Sequence, residues 1–276
     1  MGFPGLASFH TLNRKVRKSL SQRGVAATAR RFVTKPLEVV RQCVREMSPA
    51  HRRCRREEME FDRRLRVETG VSADPGWMAK IRSDNWLYGI GYAPVPIRFG
   101  TSILAGLDIR YEDYVFIDFG AGKGRMLFLA SEFPFRRIVG VEYSPDLHET
   151  LDRNLRTYRN PAQRCHDLQG VLQDAAQFEL PPEPLVLFFH HPFDEPIFRQ
   201  VIARIERSLD EMPRDIRVVY FDPICGDLFE RSRHFQRLQH GERDRSIRYS
   251  SAWTVYGSRV RVSQPPANVS TLAAVP

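Results

Sequence analysis

One short stretch of the sequence combines an acidic residue with three closely spaced glycines, between an apolar run and a helical pattern. Asp118 lies near the end of the apolar run, Gly120, Gly122 and Gly124 follow at alternate positions, and Ala121 separates the first two glycines. Glycines remove side chains where a ligand must approach the backbone closely, and the following helix offers free N–H groups and the positive end of its dipole. The pattern predicts a cofactor site built from a strand, a turn and a helix.

The residues around the glycines indicate which kind of cofactor the loop binds. A dinucleotide-binding loop needs a glycine three residues beyond its second one, and Arg125 stands at that position. The carboxylate of Asp118 would repel a pyrophosphate, whereas it would attract the ammonium group of an amino-acid-like ligand. These charges favour S-adenosylmethionine over NAD.

The stretch 118–124 resembles the first motif of the class I S-adenosylmethionine-dependent methyltransferases, a strand followed by Asp-x-Gly-x-Gly-x-Gly. A glycine triplet by itself can also be an ordinary tight turn. The resemblance covers about residues 85–260 and is to bacterial members of unassigned substrate. It implies an α/β fold, a Rossmann-like, mostly parallel sheet with helices on both faces and an antiparallel last strand.

The rest of the sequence supplies the strands that such a fold needs. Apolar runs at 137–142, 168–172, 184–189 and 216–221 alternate with helical patterns, as a parallel sheet with crossover helices requires. Two alternating segments, 235–238 and 252–256, predict an antiparallel pair at the sheet edge. An aromatic segment at 86–96, punctuated by glycine and proline, precedes a predicted helix at 97–107. By resemblance this segment is a lid over the methionine end of the cofactor, and the alternative is ordinary packing against the sheet.

Two acids at predicted strand ends complete the expected cofactor site. Glu142 closes the second strand about 20 residues beyond the glycines, the distance at which a carboxylate accepts hydrogen bonds from ribose hydroxyls. Asp174 and Ala175 follow the third strand, and the resemblance implies that they lie near the adenine. Without the resemblance, Asp174 fits equally well as a helix cap or a turn residue.

Two histidines follow the fourth predicted strand, at the carboxyl end of the strands, where parallel sheets bind their ligands. In amino-methylating relatives this strand ends in Asn or Asp followed by Pro, whereas here His190 and His191 precede Pro192. A neutral imidazole can take a proton near neutral pH, so His191 is a candidate general base for an oxygen or nitrogen nucleophile, with His190 beside it. The alternatives are a histidine that orients substrate, a structural histidine, or a site that has lost activity. If the site has lost activity, the protein is a non-catalytic cofactor-binding or nucleic-acid-associated protein.

The positive charge of the chain is concentrated at its N-terminus. Residues 1–66 contain 17 Lys or Arg against 6 Asp or Glu, a net charge of +11, while the remaining residues contain 25 against 27. We expect a basic helical extension at 1–70, a linker and lid-like segment at 71–110, the methyltransferase domain at 111–262 and a disordered tail at 263–276. The arm 1–66 predicts weak contact with an anionic partner, whether nucleic acid, a membrane surface or an acidic protein, and the alternative is a solvated helical extension.

Several other functions find no support in the sequence. Four cysteines show no Cys-x-x-Cys spacing, so we expect neither a zinc site nor a disulfide framework, and no metal. No run approaches the roughly 20 apolar residues of a membrane span, and we expect a cytoplasmic protein. The acid-free first 37 residues also fit an organellar transit peptide. The methyl acceptor, a small molecule, a protein or an RNA, is not identified by the sequence.

Overall fold

Seven strands form a single sheet in the computed structural model, which describes residues 49–70, 92–243 and 251–259. The strands are β1 (Val115–Phe119), β2 (Arg137–Glu142), β3 (Leu168–Leu172), β4 (Leu185–His190), β5 (Ile216–Phe221), β6 (Phe235–Gly241) and β7 (Trp253–Ser258). Their order is β3-β2-β1-β4-β5-β7-β6. Strands β1 to β5 are parallel, and β7 is antiparallel to both β5 and β6. The predicted mostly parallel sheet with an antiparallel last strand is confirmed.

Two helices precede the first strand, and four others follow β1, β2, β4 and β5. They are α1 (Pro49–Leu65), α2 (Ile97–Ala105), α3 (Arg125–Ala130), α4 (Pro145–Thr157), α5 (Glu195–Glu211) and α6 (Gly226–Glu230), with 3₁₀ turns at Tyr111–Asp113 and Ala175–Gln177. The predicted bounds of β2, β3 and β5 are confirmed. Strand β4 extends one residue further than predicted, because His190 still pairs with Phe221 of β5.

Helices cover both faces of the sheet, because successive side chains of each central strand point in opposite directions. In β1, Phe116 packs in one apolar cluster with residues of α1 to α4. Its neighbours Val115 and Ile117 pack in a second cluster with residues of α5 and α6. A strand buried on both faces is mostly apolar, which explains why β1 and β4 are apolar in the sequence except for Asp118 and His190 near their carboxyl ends.

The end of the N-terminal region belongs to the same compact unit as the sheet. Residues 54–70 lie in that unit, and Phe61 and Leu65 of α1 are buried in the first apolar cluster. The many charges of α1 conceal this apolar stripe in the sequence, and the predicted division of the chain, with a basic helical extension at 1–70, stays a prediction. Residues 1–48 of the predicted helical extension, residues 71–91 of the predicted linker and lid-like segment, and the tail 263–276 lie outside the described residues.

The described ranges contain neither a membrane-spanning helix nor a cluster of potential metal ligands. None of the helices in these ranges is long and apolar enough to cross a membrane. Nor do these ranges bring three or more His, Cys, Asp or Glu side chains together in a metal-binding arrangement. The cytoplasmic location stays a prediction.

Candidate active site

A cavity of about 150 Å³ lies at the carboxyl ends of β1, β2, β4 and β5, the edge where parallel sheets bind ligands. Seven of the ten residues predicted for the site line it: Asp118, Gly120, Ala121, Gly122, Glu142, His190 and His191. The other three, Gly124, Asp174 and Ala175, lie outside its lining. The topology therefore brings together residues that are far apart in the sequence.

The three glycines have backbone conformations that other residues adopt only with strain. Their φ angles are 81° at Gly120, 56° at Gly122 and 90° at Gly124, all in the left-handed region. Space excludes side chains as well, since a Cβ at Gly120 would lie 2.5 Å from Cβ of Pro192 and one at Gly122 would overlap the ring of Tyr92. The N–H groups of Gly120 and Ala121 donate to the carbonyl oxygen of Val141, 2.9 and 3.1 Å away, and so fix the loop to β2.

Two buried carboxyl groups face this loop. Asp118 is 4% exposed and Glu142 is 2% exposed. Burial raises the pKa of Asp118 well above its usual value, and the charge of Glu142 raises it further. Burial also raises the pKa of Glu142, to about 7, although backbone N–H groups lower it. A buried acidic pair of this kind favours a positively charged ligand.

Backbone N–H groups hold the carboxylate of Glu142 in place. Its Oε2 accepts from the N–H of Gly122 at 2.7 Å, and its Oε1 accepts from the N–H of Ser144 at 2.8 Å. Each carboxylate oxygen can accept a second hydrogen bond. Glu142 can therefore still accept from a ligand while it connects the glycine loop to the start of α4.

Tyr143 lines the cavity, and sequence analysis missed it. Within the described ranges, its hydroxyl is buried without a hydrogen-bond partner. Asp174 lies close enough for its charge to contribute to the raised pKa of this tyrosine, after burial and the charge of Glu142. The only sequence signal for Tyr143 was its position directly after the acid that ends β2.

Asp174 acts as a cap in the structure. Its Oδ1 accepts from the N–H of Ala176 at 2.9 Å, at the start of the 3₁₀ turn after β3. Ala175 is buried in the second apolar cluster. These contacts agree with the interpretation of Asp174 as a cap. The adenine contacts that the resemblance implied for Asp174 and Ala175 stay predictions.

The two histidines at the end of β4 have different surroundings. His190 contacts the backbone of Ala93, its ring meets that of Phe221 edge-on with centroids 4.9 Å apart, and burial lowers its pKa to about 4. Nδ1 of His191 lies 3.1 Å from the hydroxyl oxygen of Tyr220, which also accepts from the N–H of Cys225 at 3.3 Å. Burial lowers the pKa of His191, while the charges of Asp222 and Asp194 act to raise it. Burial therefore favours the neutral form of both imidazoles.

Asp222 is a further acidic residue of the cavity that the sequence analysis did not single out. It follows β5 and lines the cavity beside the histidines. Its charge also acts to raise the pKa of His190. The sequence does show that Asp222 follows a strand. That this strand lies beside β4 is known only from the topology of the sheet.

Comparisons with known proteins give similarities of fold at low sequence identity. No protein-family model and no curated protein matches the chain. A tRNA methyltransferase from Aquifex aeolicus aligns with a TM-score of 0.45 at 15% identity, over 63% of this chain and 73% of that one. An S-adenosylmethionine-dependent methyltransferase from Leishmania major aligns with a TM-score of 0.45 at 14% identity, over 59% and 71%. An rRNA methylase from Streptococcus thermophilus aligns with a TM-score of 0.42 at 13% identity, over 62% and 100%.

The topology of the chain itself establishes the fold. Five parallel strands with the order β3-β2-β1-β4-β5 are extended by an antiparallel pair in which β7 lies between β5 and β6. This chain therefore has the Rossmann-like fold that the resemblance of residues 118–124 to class I methyltransferases implied.

Proposed function

We propose that this protein is an S-adenosylmethionine-dependent methyltransferase that transfers a methyl group to an oxygen or nitrogen nucleophile of a small molecule, a protein or an RNA. The observation that supports it most is the placement of two buried carboxyl groups, Asp118 and Glu142, beside a loop of left-handed glycines in one cavity. The glycines leave the backbone open to a ligand, and the raised pKa values of the carboxyl groups suit a cationic one.

The chemistry of the cavity fits this cofactor. Asp118 would hold the methionine ammonium, and Glu142 would accept from the ribose hydroxyls with its remaining acceptor capacity. The backbone of the glycine loop would lie against the cofactor, with Asp174 and Ala175 near the adenine. The buried hydroxyl of Tyr143, which has no hydrogen-bond partner among the described residues, offers a further polar contact on that side. When bound, the cofactor supplies an activated methyl group on a sulfonium.

The chain has to align the acceptor and remove its proton, and His191 is the proposed base. The oxygen of Tyr220 accepts from the N–H of Cys225, and the direction of its hydrogen bond with Nδ1 of His191 depends on the imidazole tautomer. If Nδ1 carries the proton and donates to Tyr220, then Nε2 has a free lone pair and can accept a proton from the substrate. The base role requires this tautomer, and the Tyr220 hydroxyl can then donate to the sulfur of Cys225, with which it also interacts.

Asp222 and His190 have supporting roles in this proposal. The carboxylate of Asp222 stabilises the imidazolium that His191 becomes after it accepts a proton. His190, whose pKa is about 4, stays neutral throughout and holds the segment after Tyr92 through the backbone of Ala93. The reaction then needs only the alignment of the nucleophile and the removal of its proton, since the donor is already activated.

Incubation with methyl-labelled S-adenosylmethionine tests this function. The labelled cofactor is added to the protein with separate small-molecule, protein and RNA fractions of a lysate. We expect reproducible labelling of one fraction that becomes at least about 100-fold slower with the His191→Asn variant. If wild-type protein binds the cofactor and labels nothing, the alternative of a non-catalytic cofactor-binding protein is supported instead.

The outward face of α1 supports an anionic partner for the N-terminal region. Phe61 and Leu65 face the core, whereas Arg55, Arg56 and Arg63 are exposed on the other side of the helix. Arg63 is partly neutralised by Glu60, 2.8 Å away. We propose that this face contributes to weak, sequence-independent contact with nucleic acid phosphates, because arginines spread along a helix contact phosphates without reading bases.

A further inference from the structure

Two buried cations flank the last glycine of the loop. Lys123 is 4% exposed and Arg125 is 2% exposed. Burying an ammonium or guanidinium group is costly unless partners compensate its charge and donors. Their ionic partners come from residues 58–70, more than 50 positions upstream, and Nη1 of Arg125 also donates to the carbonyl oxygen of Val95 at 3.5 Å. The two cations therefore connect the glycine loop to the end of the N-terminal region.

Lys123 holds the chain at Glu68 and Gly70. Its Nζ donates to Oε1 of Glu68 at 2.8 Å and to the carbonyl oxygen of Gly70 at 3.2 Å. The side chain of Asn154 completes this attachment, because Oδ1 accepts from the N–H of Glu68 at 2.9 Å and Nδ2 donates to its carbonyl at 3.0 Å. Nδ2 of Asn154 also donates to the carbonyl oxygen of Lys123 at 2.9 Å.

Arg125 holds the chain at Thr69. Its Nε donates to Oγ1 of Thr69 at 2.8 Å, and its guanidinium forms an ion pair with Glu58 at 3.3 Å. Asp62 lies 4.0 Å from the guanidinium and accepts from the N–H groups of Thr69 and Gly70 at 2.8 and 2.9 Å. Residues 68–70 are therefore fixed by side chains on both sides.

Thr69 in turn fixes an aromatic ring at the cavity. The hydroxyl of Tyr92 donates to the carbonyl oxygen of Thr69 at 2.6 Å. The ring of Tyr92 covers Gly122, where it would overlap any Cβ, and Nζ of Lys123 lies 5.6 Å from the ring centroid. Tyr92 and Arg125 both line the cavity. Asp118 lines the same cavity as Tyr92 and Arg125.

We propose that Lys123 and Arg125 are positioning residues that hold residues 68–70, and through them the ring of Tyr92, as a wall against the amino-acid end of the cofactor. The inference rests on the proposed function, since Asp118 marks that end of the cofactor. Residues 68–70 and Tyr92, which form this wall, lie outside the sheet. Lys123 and Arg125 connect them to the glycine loop. Binding of the amino-acid end therefore depends on two side chains that act through residues 68–70 and Tyr92.

Calorimetric titration with two ligands, S-adenosylhomocysteine and adenosine, tests the wall, because adenosine lacks the amino-acid part. Tyr92→Phe keeps the ring and removes only the hydrogen bond to Thr69, and Arg125→Lys keeps the charge but loses the Nε donor. For both variants we expect about fivefold to tenfold weaker binding of S-adenosylhomocysteine, the effect of removing one buried hydrogen bond, and adenosine binding within about twofold of wild type.

Arg153→Gln provides the matched control. Arg153 pairs with the other oxygen of Glu68 at 3.1 Å, but this pair is half-exposed and exposed pairs contribute little. We expect wild-type binding of both ligands. If Tyr92→Phe binds S-adenosylhomocysteine as tightly as wild type, or loses adenosine to the same extent, the wall is refuted while the proposed function stands. Wild-type protein that binds neither ligand would refute the proposed function and this inference together.

Discussion

His191 and Asp222 occupy equivalent positions on adjacent strands, and both have left-handed backbone conformations. His190 pairs with Phe221 at the ends of β4 and β5, and the next residue of each strand is His191 or Asp222. Their φ angles are 39° and 58°. Such conformations cost energy in residues other than glycine and are concentrated at functional sites. Here the two residues with this conformation both line the cavity and both have titratable side chains.

The pH dependence of methyl transfer should report the protonation of His191. A base must be neutral, and burial lowers the pKa of His191, so activity should fall only below the ordinary histidine pKa of about 6.5. In Asp222→Asn the stabilising carboxylate is removed, the pKa of His191 falls further, and this acidic limb moves to lower pH. The measurement is the pH profile of kcat for wild type and variant, once an acceptor is labelled.

Asp227→Asn is the control for Asp222→Asn. Asp227 is an exposed acid on α6 that pairs with Arg231 at 3.4 Å. Its replacement should leave the profile unchanged. An acidic limb that survives in His191→Asn would show that another group is the base.

The stability of the ligand-free protein should fall as the pH rises, in part because of Glu142. Its pKa rises from 4.5 to about 7 on folding, so the native state binds a proton that the unfolded state has released between these values. This contribution is present below pH 4.5, is lost as the pH rises through 7, and amounts to about 3 kcal/mol. Thermal unfolding at pH 5 and pH 8 measures the difference.

Glu142→Gln should flatten this pH dependence. The amide nitrogen cannot accept from the N–H of Gly122 or Ser144, but the amide cannot ionise, so one titrating group is removed. The decrease in stability between pH 5 and pH 8 should therefore be smaller than in wild type. An equal decrease in both proteins would contradict the assignment of the shifted pKa to Glu142.

Gly122→Ala should weaken both stability and cofactor binding. The methyl group would overlap the ring of Tyr92 at a residue with φ of 56°, and we expect a loss of stability of about 1–3 kcal/mol from strain. Gly106→Ala is the matched control, because Gly106 has φ of −86° and a Cβ there meets its nearest atom at 3.4 Å. Chemical denaturation and titration with S-adenosylhomocysteine compare the two, and equal effects would argue against a special role of the loop.

Binding of nucleic acid through α1 should depend on salt. Because residues 54–70 are part of the compact unit, substitutions test this face better than deletion of the whole arm. In the double variant Arg55→Gln and Arg56→Gln, the slope of log K against log salt for duplex DNA should become shallower by about 0.9 for each phosphate that is no longer neutralised. The control is Arg199→Gln with Arg207→Gln, two exposed arginines on α5.

Binding that is the same in both double variants would exclude the α1 face as the contact surface. Salt-dependent binding to anionic vesicles, with none to nucleic acid, would assign the face to a membrane surface instead. Fluorescence anisotropy at two salt concentrations distinguishes these results.

The sequence predicted the parts of the site that depend on local patterns. Asp118, the three glycines and Glu142 follow from one strand, one loop and a fixed spacing, and all but Gly124 line the cavity. Asp222 was missed because its proximity to His191 follows from the pairing of β4 with β5. At Arg125 the sequence indicates only that a glycine is absent, whereas its function as a buried cation depends on Thr69, 56 positions away. Interactions between residues so far apart leave no periodic pattern in the sequence, so they can be identified only from the fold.

Titration of the wild-type protein with S-adenosylhomocysteine, with NAD as the comparison ligand, is the decisive test of the cofactor assignment. Asp118 and Glu142 make the cavity suitable for a cation, and the loop carries Arg125 where a dinucleotide site needs glycine. We predict one binding site for S-adenosylhomocysteine, weaker binding in Asp118→Asn, and no binding of NAD. Binding of NAD, or no binding of S-adenosylhomocysteine, would contradict this assignment.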